Sequence, residues 1–279
     1  MTAHSKTTEV HGHRGAAGHR AQNSLQGFQY AVDHGVDAIE MDVVISKDKQ
    51  VVVSHEPYMA SDYVLTPNGK PIAHARERSY NLYEMEYSEI KKFDIGSKWD
   101  FRFFWKKREK TYKPLLEEVI EAVEDQIQEK KLKPVVYSIE LKSVPREYGS
   151  FQPQPEEFIN LVVPILKKYR LEDRLIIQSF DPNLLNLLHE KYPEIKISYL
   201  SENPDTQRQL SRLDFAPDYY SLDHRLIHDK KFVDSLKAQN IKVIAWTVNR
   251  NRDIRKMLNF GVDAIISDYP ERVIKQQQK

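Results

Sequence analysis

The feature that most constrains this chain is a repeated alternation of short apolar runs with amphipathic stretches. Eight runs have β-type composition: Val10–His13, Ala38–Val44, Val135–Leu141, Leu175–Ser179, Lys196–Leu200, Tyr219–Leu222, Lys242–Trp246 and Ala264–Ser267. A further run, Val51–Ser54, follows the Lys47-Asp48-Lys49 turn and reads as the hairpin partner of the second. Helical patterns lie between them. Leu25, Phe28, Ala31 and Val32 form an apolar stripe behind Asn23 or Ser24 as N-cap, and Gly35 stops it. Leu115–Lys130, Glu156–Lys168, Thr206–Leu213, Asp229–Gln239 and Arg250–Phe260 read as further helices, and Asp181-Pro182 is a cap with proline at the first helical position. Repeated β-α units imply a parallel sheet. Eight of them in 279 residues point to an α/β fold of the closed (β/α)8 TIM-barrel type over an open doubly wound sheet. Gly12-x-x-Gly15 lacks the spacing of a dinucleotide fingerprint.

One stretch, at about 57–113, breaks the rhythm. It is rich in tyrosine and lysine and includes Trp99-Asp100-Phe101-Arg102-Phe103-Phe104-Trp105. The reading is a single catalytic barrel domain over residues 1–279, with this stretch as an insertion packed over one end. The aromatic and basic run from Trp99 to Lys110 is expected to be a packed insertion core with a solvated edge, in preference to a lipid-facing surface or a cover for a pocket. The Lys275–Lys279 tail is expected to be a frayed end.

Composition excludes several classes. There is no cysteine, so disulfides and thiolate metal sites are ruled out. A net charge of +1 gives no argument for nucleic acid as a partner. No apolar run approaches the roughly 18 residues of a transmembrane segment. Met1 to Glu9 is polar, with no signal-peptide core. The expectation is a cytoplasmic protein if Met1 is the natural start, and a periplasmic or secreted one if a signal peptide was removed ahead of it. The sequence carries no signal for an oligomeric state.

Barrels of this type carry their chemistry at the C-terminal ends of the strands. Unusual polar residues cluster at those ends: His13 and Arg14 at the first strand, Glu40 and Asp42 at the second, and His55 after the hairpin strand. Glu140 and Lys142 end the third strand, Gln178 the fourth and Trp246 the seventh. Histidine moves protons near neutral pH, and arginine grips a phosphate through two oxygens. Carboxylates one residue apart on a strand share a face and can share a hard cation. Each group alone has an ordinary reading: a structural histidine, a salt-bridged carboxylate, a core aromatic. Together they suggest metal-assisted cleavage of a phosphate ester.

The ordered motifs are more specific. His13-Arg14-Gly15, Asn23-Ser24, Ile39-Glu40-Met41-Asp42-Val43, Asp48, Val53-Ser54-His55-Glu56-Pro57, Ile139-Glu140-Leu141-Lys142, Gln178-Ser179-Phe180, Trp246-Thr247-Val248-Asn249, and Gly261-Val262-Asp263-Ala264 through Asp268-Tyr269-Pro270 follow one another. In this the chain resembles the glycerophosphodiester phosphodiesterase family from about Val10 to Pro270. The resemblance implies a (β/α)8 barrel with a small insertion after the second strand. It also implies metal-dependent hydrolysis of a small-molecule glycerophosphodiester to sn-glycerol 3-phosphate and an alcohol, with the glycerol 2-hydroxyl attacking first to give a cyclic phosphate. Glu40, Asp42 and Glu140 would hold a divalent cation, Mg²⁺ or Ca²⁺. His13 and His55 would be the proton-transfer pair, His13 as base and His55 as acid or the reverse. Arg14 and Lys142 would complete the catalytic set by holding the phosphate. Phe180 and Trp246 would wall the glycerol moiety, with Gln178 and Asn23 as hydrogen-bonding support and His11 behind the site. The chain departs from the family pattern at Gln22, where an acid is usual and which is therefore not expected to bind metal, at Glu56 for aspartate and at Ala264 for glycine. Two alternatives keep the barrel: a lysophospholipase D-type enzyme whose insertion grips an acyl chain, and a non-catalytic phosphoryl-ligand binding protein.

Overall fold

The structure is a computed structural model that describes residues 8–279, so most of the polar start read at Met1 to Glu9 lies outside the described residues. The elements follow in the order β1 (Glu9–Gly12), α1 (Leu25–Asp33), β2 (Ala38–Ile45), β3 (Val51–Val53), α2 (Tyr87–Ile90), α3 (Leu116–Lys130), β4 (Val136–Leu141), α4 (Pro155–Lys168), β5 (Leu175–Ser179), α5 (Pro182–Lys191), β6 (Lys196–Ser201), α6 (Thr206–Leu210), β7 (Tyr219–Asp223), α7 (Lys230–Lys237), β8 (Lys242–Trp246), α8 (Asn251–Phe260), β9 (Ala264–Ser267) and α9 (Pro270–Gln277). Eight strands pair in parallel, and β1 closes the ring by pairing with β9 (His11 opposite Ile266) and with β2 (His11 opposite Ala38). The fold is a TIM barrel. β3 stands outside the ring, antiparallel to the end of β2, with Val43 opposite Val53.

Strand periodicity decides what faces where. Met41, Val43, Ile139, Ile177, Ile197 and Val243 are buried in the large cluster shared with the helices. Their strand neighbours Ile176, Ile244 and Ile266 form a separate cluster with Tyr219 and Ala264, which is the apolar filling of the barrel interior. Glu40, Asp42, Glu140 and Gln178 share the parity of that inner set. Each fully buried large aliphatic contributes about 1.5–3 kcal/mol. The two apolar layers thus hold rigid a ring whose inner face turns polar toward one end.

Helix starts follow the sequence cues. Ser24, not Asn23, caps α1 by accepting from the Gly27 amide. Asp181 caps α5 with Pro182 behind it, and Asp229 caps α7 by accepting from Phe232. The tail expectation is corrected: α9 runs to Gln277, because Val273 and Gln276 are buried and the Gln277 side chain donates to the Thr8 carbonyl. Among the described residues no helix is long and apolar enough to cross a membrane.

The stretch between β3 and α3 has its own small core. Met59, Tyr63, Val64, Leu82, Ile90 and Phe93 pack on Val44 and Val52 of the β2–β3 hairpin. The expectation for Trp99 to Lys110 is also corrected. Phe101 is 90% exposed, Trp105 89% and Phe104 59%. The physical reason is Asp100: its buried carboxylate takes hydrogen bonds from Arg102 and Lys106. Lys106 therefore turns inward to Asp100, while Phe101, Phe104 and Trp105 stay outward beside the exposed Arg102, Arg108 and Lys110.

The β1–α1 turn packs closely against α1. Gly15 has φ +86°, and a Cβ there would meet the Gly27 carbonyl carbon at 2.6 Å. Gly35 has a similar φ of +75° with nothing within 4 Å of its Cβ position. Gly35→Ala is expected to lower unfolding free energy by about 1 kcal/mol, from left-handed backbone strain alone. Gly15→Ala adds a steric clash and is expected to cost about 2 kcal/mol or more. Urea titrations of both variants check the difference; equal losses would refute the role of close packing at Gly15.

Candidate active site

At the C-terminal end of the barrel a cavity of about 450 Å³ is lined by His13, Arg14, Glu40, His55, Glu140 and Lys142, together with Gln178, Phe180 and Trp246. Strand register brings them together: Asp42 pairs with Glu140 across β2–β4, and Glu140 with Gln178 across β4–β5. Glu40, Asp42 and Glu140 each place a carboxylate oxygen within 4.8 Å of the others, and all three are buried. Gln22 is not among them; its Oε1 accepts from Arg14 Nη1 at 2.7 Å.

Two residues at the β1–α1 turn hold left-handed backbone, Arg14 (φ 49°) and Asn23 (φ 53°). Such conformations are uncommon for residues other than glycine and persist where the surroundings enforce them. Both are enforced by the acids. The Arg14 amide donates to Glu40 Oε2 at 2.8 Å, and Asn23 Nδ2 donates to Asp42 Oδ2 at 2.8 Å. Arg14 Nε lies 3.4 Å from Asp42 Oδ2 without making a hydrogen bond among the described residues, so the guanidinium keeps a donor unused. Lys142 Nζ donates to Glu140 Oε1 at 2.7 Å and lies 3.7 Å from Asp42 Oδ1. Gln178 Nε2 donates to Glu40 Oε1 at 3.1 Å.

The acids share their charge unequally. Burial pushes the Glu40 carboxyl up strongly, and the Asp42 charge adds to it. Burial likewise lifts Glu140 to about 7, with Lys142 opposing and Asp42 assisting. Burial would raise Asp42 too, but His55, Arg14 and Lys142 outweigh it and hold Asp42 well below the usual carboxylate range. An all-oxygen donor set under this mutual repulsion fits a hard divalent cation.

Each histidine leans on a carboxylate. His13 Nδ1 lies 2.6 Å from Asp268 Oδ1, and Asn249 fixes Asp268 by donating from Nδ2 to Oδ2 at 2.6 Å. His55 Nδ1 lies 2.8 Å from Glu56 Oε1, while Tyr63 donates its hydroxyl to Glu56 Oε2 at 2.5 Å. Behind Tyr63 sits Lys113, whose Nζ donates to Ser54 Oγ at 2.7 Å and to Tyr63 at 3.2 Å. Burial lowers the His55 imidazole to about 4, helped by the charges of Lys142 and Arg14. Phe180 and Trp246 meet edge to face at 5.8 Å between ring centres. His11 is fully buried beneath the site, its Nε2 3.5 Å from Glu9.

The residues named from sequence thus converge on one mouth. The supporting residues Asp268 and Asn249 stand out in the sequence only as motif members, and their positions just after β9 and β8 are the available signal. Tyr63 and Lys113 had none, because they lie in irregular chain.

Fold and site together define a barrel phosphodiesterase. The chain belongs to the glycerophosphoryl diester phosphodiesterase family, whose model matches residues 13–272. It is similar to the glycerophosphodiester phosphodiesterase of Bacillus altitudinis, at 27% identity over 98% of this chain and 99% of the relative. A crystal structure from Silicibacter pomeroyi DSS-3 given the same family description superposes with a TM-score of 0.86 at 29% identity, covering 99% of this chain and 95% of the other. An Oleispira antarctica phosphodiesterase, solved in complex with the product sn-glycerol-3-phosphate, superposes with a TM-score of 0.76 at 25% identity over 98% of both chains.

Lys113 generates a stability prediction. Burial lowers its ammonium from 10.5 to about 8, against the pull of Glu56 and Asp42. The unfolded chain therefore binds the proton more tightly than the folded one between those values, and stability attributable to this group rises with pH across that window. Below about 8 the whole penalty is present. Lys113→Met leaves Tyr63 bonded to Glu56 and Ser54 bonded to the Glu56 carbonyl at 2.6 Å. It is expected to raise Tm at pH 7, with the gain over wild type shrinking toward pH 10. A lower Tm at pH 7 would refute the assignment of Lys113 as a stability cost.

Proposed function

We propose that this protein hydrolyses glycerophosphodiesters to sn-glycerol 3-phosphate and an alcohol, using a divalent cation, Mg²⁺ or Ca²⁺, held by Glu40, Asp42 and Glu140. The observation that carries the reading is the pairing of that buried acidic triad with two carboxylate-backed histidines lining one cavity. When bound, the cation supplies Lewis-acid polarisation of a phosphoryl oxygen and makes an attacking hydroxyl more acidic. Arg14 and Lys142 hold the phosphate and offset the charge that builds on it. Phe180 and Trp246 form the apolar wall for the glycerol carbons.

The two histidines divide the proton transfers. His55, held down to about 4, is unprotonated at neutral pH; a proton on Nδ1 shared with Glu56 leaves Nε2 as the acceptor. We assign it as the base that takes the proton of the attacking hydroxyl. Asp268, held below the usual carboxylate range largely by His13 against the effect of burial, orients the His13 ring from Nδ1, and we assign His13 as the acid that gives a proton to the departing alcohol oxygen. Of the two orders that the sequence leaves open, this is the one with His55 as base and His13 as acid. With the glycerol 2-hydroxyl as attacker, one P–O bond forms and one breaks, giving a cyclic phosphate and the free alcohol. Water then opens the ring with the two histidines exchanging roles, which restores both. The barrel and the insertion act as one catalytic domain in this scheme, since Tyr63 and Lys113 hold Glu56 against His55.

Alcohol release from glycerophosphocholine and glycerophosphoethanolamine is expected to require Mg²⁺ or Ca²⁺ and to stop in excess chelator. His13→Ala and His55→Ala are each expected to lower kcat by about 10²–10⁴. Lysophosphatidylcholine assayed in parallel is expected to be the poorer substrate; a reversed preference would move the assignment to a lysophospholipase D. Full activity in chelator, or tight phosphodiester binding without turnover, would overturn the proposal.

A further inference from the structure

Among the described residues the exposed large hydrophobic side chains are Phe101, Phe104, Trp105 and, at 37%, Val144. Three of the four fall within five consecutive positions. They form a knob of their own: Trp99 meets Phe104 edge to face at 5.0 Å, and Phe104 meets Trp105 in the same way at 5.0 Å. Arg108 lies over the Trp99 ring at 4.7 Å.

The underside of this knob is polar. Asp100 and Lys106 are buried and paired at 3.2 Å, and Arg102 adds two further bonds to the same carboxylate. Turning the aromatic rings inward would break that buried ion pair, which is costly. The rings are therefore held in water by the structure beneath them.

The same segment concentrates positive charge. From Lys98 to Lys110 there are six cationic residues and two acidic ones, a net charge of +4 in a chain whose total is +1. Arg108 and Lys110 are exposed. The segment also stands beside the active-site mouth. The Lys107 amide donates to the His19 carbonyl at 3.0 Å, and the Phe103 ring contacts Tyr269 at 6.4 Å. Tyr269 directly follows Asp268, which supports His13.

We propose that this loop is a docking element for an anionic lipid bilayer, which the aromatic knob enters at headgroup depth while Arg108 and Lys110 pair with lipid phosphates. Aromatic residues with one wet side and one apolar side favour that layer, and each nearby cation adds attraction to an anionic surface. The segment from Phe101 to Lys110 has no helix or strand, so those of its backbone amides and carbonyls that are not bonded within the protein need water. That limits insertion to the interface, short of the hydrocarbon core. Docking in this way sets the mouth of the barrel beside a lipid surface. The binding does not depend on which diester is hydrolysed.

The test is co-sedimentation with phosphatidylcholine vesicles, with and without phosphatidylglycerol, at low and high salt. Wild type is expected to pellet with the anionic vesicles and to be released by salt. Phe101→Ser/Trp105→Ser and Arg108→Glu/Lys110→Glu are each expected to weaken binding about tenfold or more. Both double variants should hydrolyse soluble glycerophosphocholine at the wild-type rate, which separates loss of docking from loss of fold or chemistry. Trp105 emission should shift blue on anionic vesicles, and the shift should be lost in the aromatic variant. Absence of vesicle binding, or binding unchanged in both variants, would overturn the proposal. A dimer in sedimentation velocity that Phe101→Ser/Trp105→Ser abolishes would assign the knob to a second copy of the chain instead.

Discussion

Three carboxylates within 4.8 Å of one another, all removed from water, set the electrostatic problem that the rest of the barrel mouth solves. Like charges this close and this buried cannot all stay ionised without compensation. The compensation comes from far along the chain. Arg14 answers from the end of the first strand with its backbone amide on Glu40 and its guanidinium beside Asp42. Lys142 reaches both Glu140 and Asp42 from just beyond the fourth. A hard cation would be the remaining compensation that the donor set invites, and under the proposed function the same positive groups would face an incoming phosphate.

That solution depends on backbone geometry more than on side-chain identity. Arg14 and Asn23 occupy left-handed conformations that their hydrogen bonds to the acids hold in place, and Gly15 lets the β1–α1 turn press against α1. Closure of the ring by β1 between β9 and β2 carries His13 and Arg14 to within reach of Glu40 and Asp268. The two apolar layers around and inside the ring hold these distances, because close-packed interiors deform little.

Much of this was legible beforehand. The eight-strand rhythm, the hairpin and the strand-end positions of His13, Arg14, Glu40, Asp42, Glu140 and Lys142 all follow from periods of two and 3.6 residues, which are local properties of the chain. Where local patterning is weak, tertiary contacts decide instead. The aromatic run near Phe101 reads as core by composition, yet a single buried carboxylate, Asp100, draws Lys106 in and leaves the rings outside. The C-terminal tail reads as frayed by its position at the chain end, yet Gln276 is buried and the Gln277 side chain is tied to the Thr8 carbonyl.

The sequence by itself determined the fold class, the family and the candidate side chains that meet at the barrel mouth, because alternation and ordered motifs are written along the chain. Only the tertiary structure decided how those side chains are supported and charged. Asp268 and Asn249 behind His13, Glu56, Tyr63 and Lys113 behind His55, and the unequal sharing of charge among the three acids all arise from contacts between segments distant in sequence. Burial and Coulomb interactions depend on distance in space, and distance in space follows from closure of the barrel and the docking of the insertion on its hairpin.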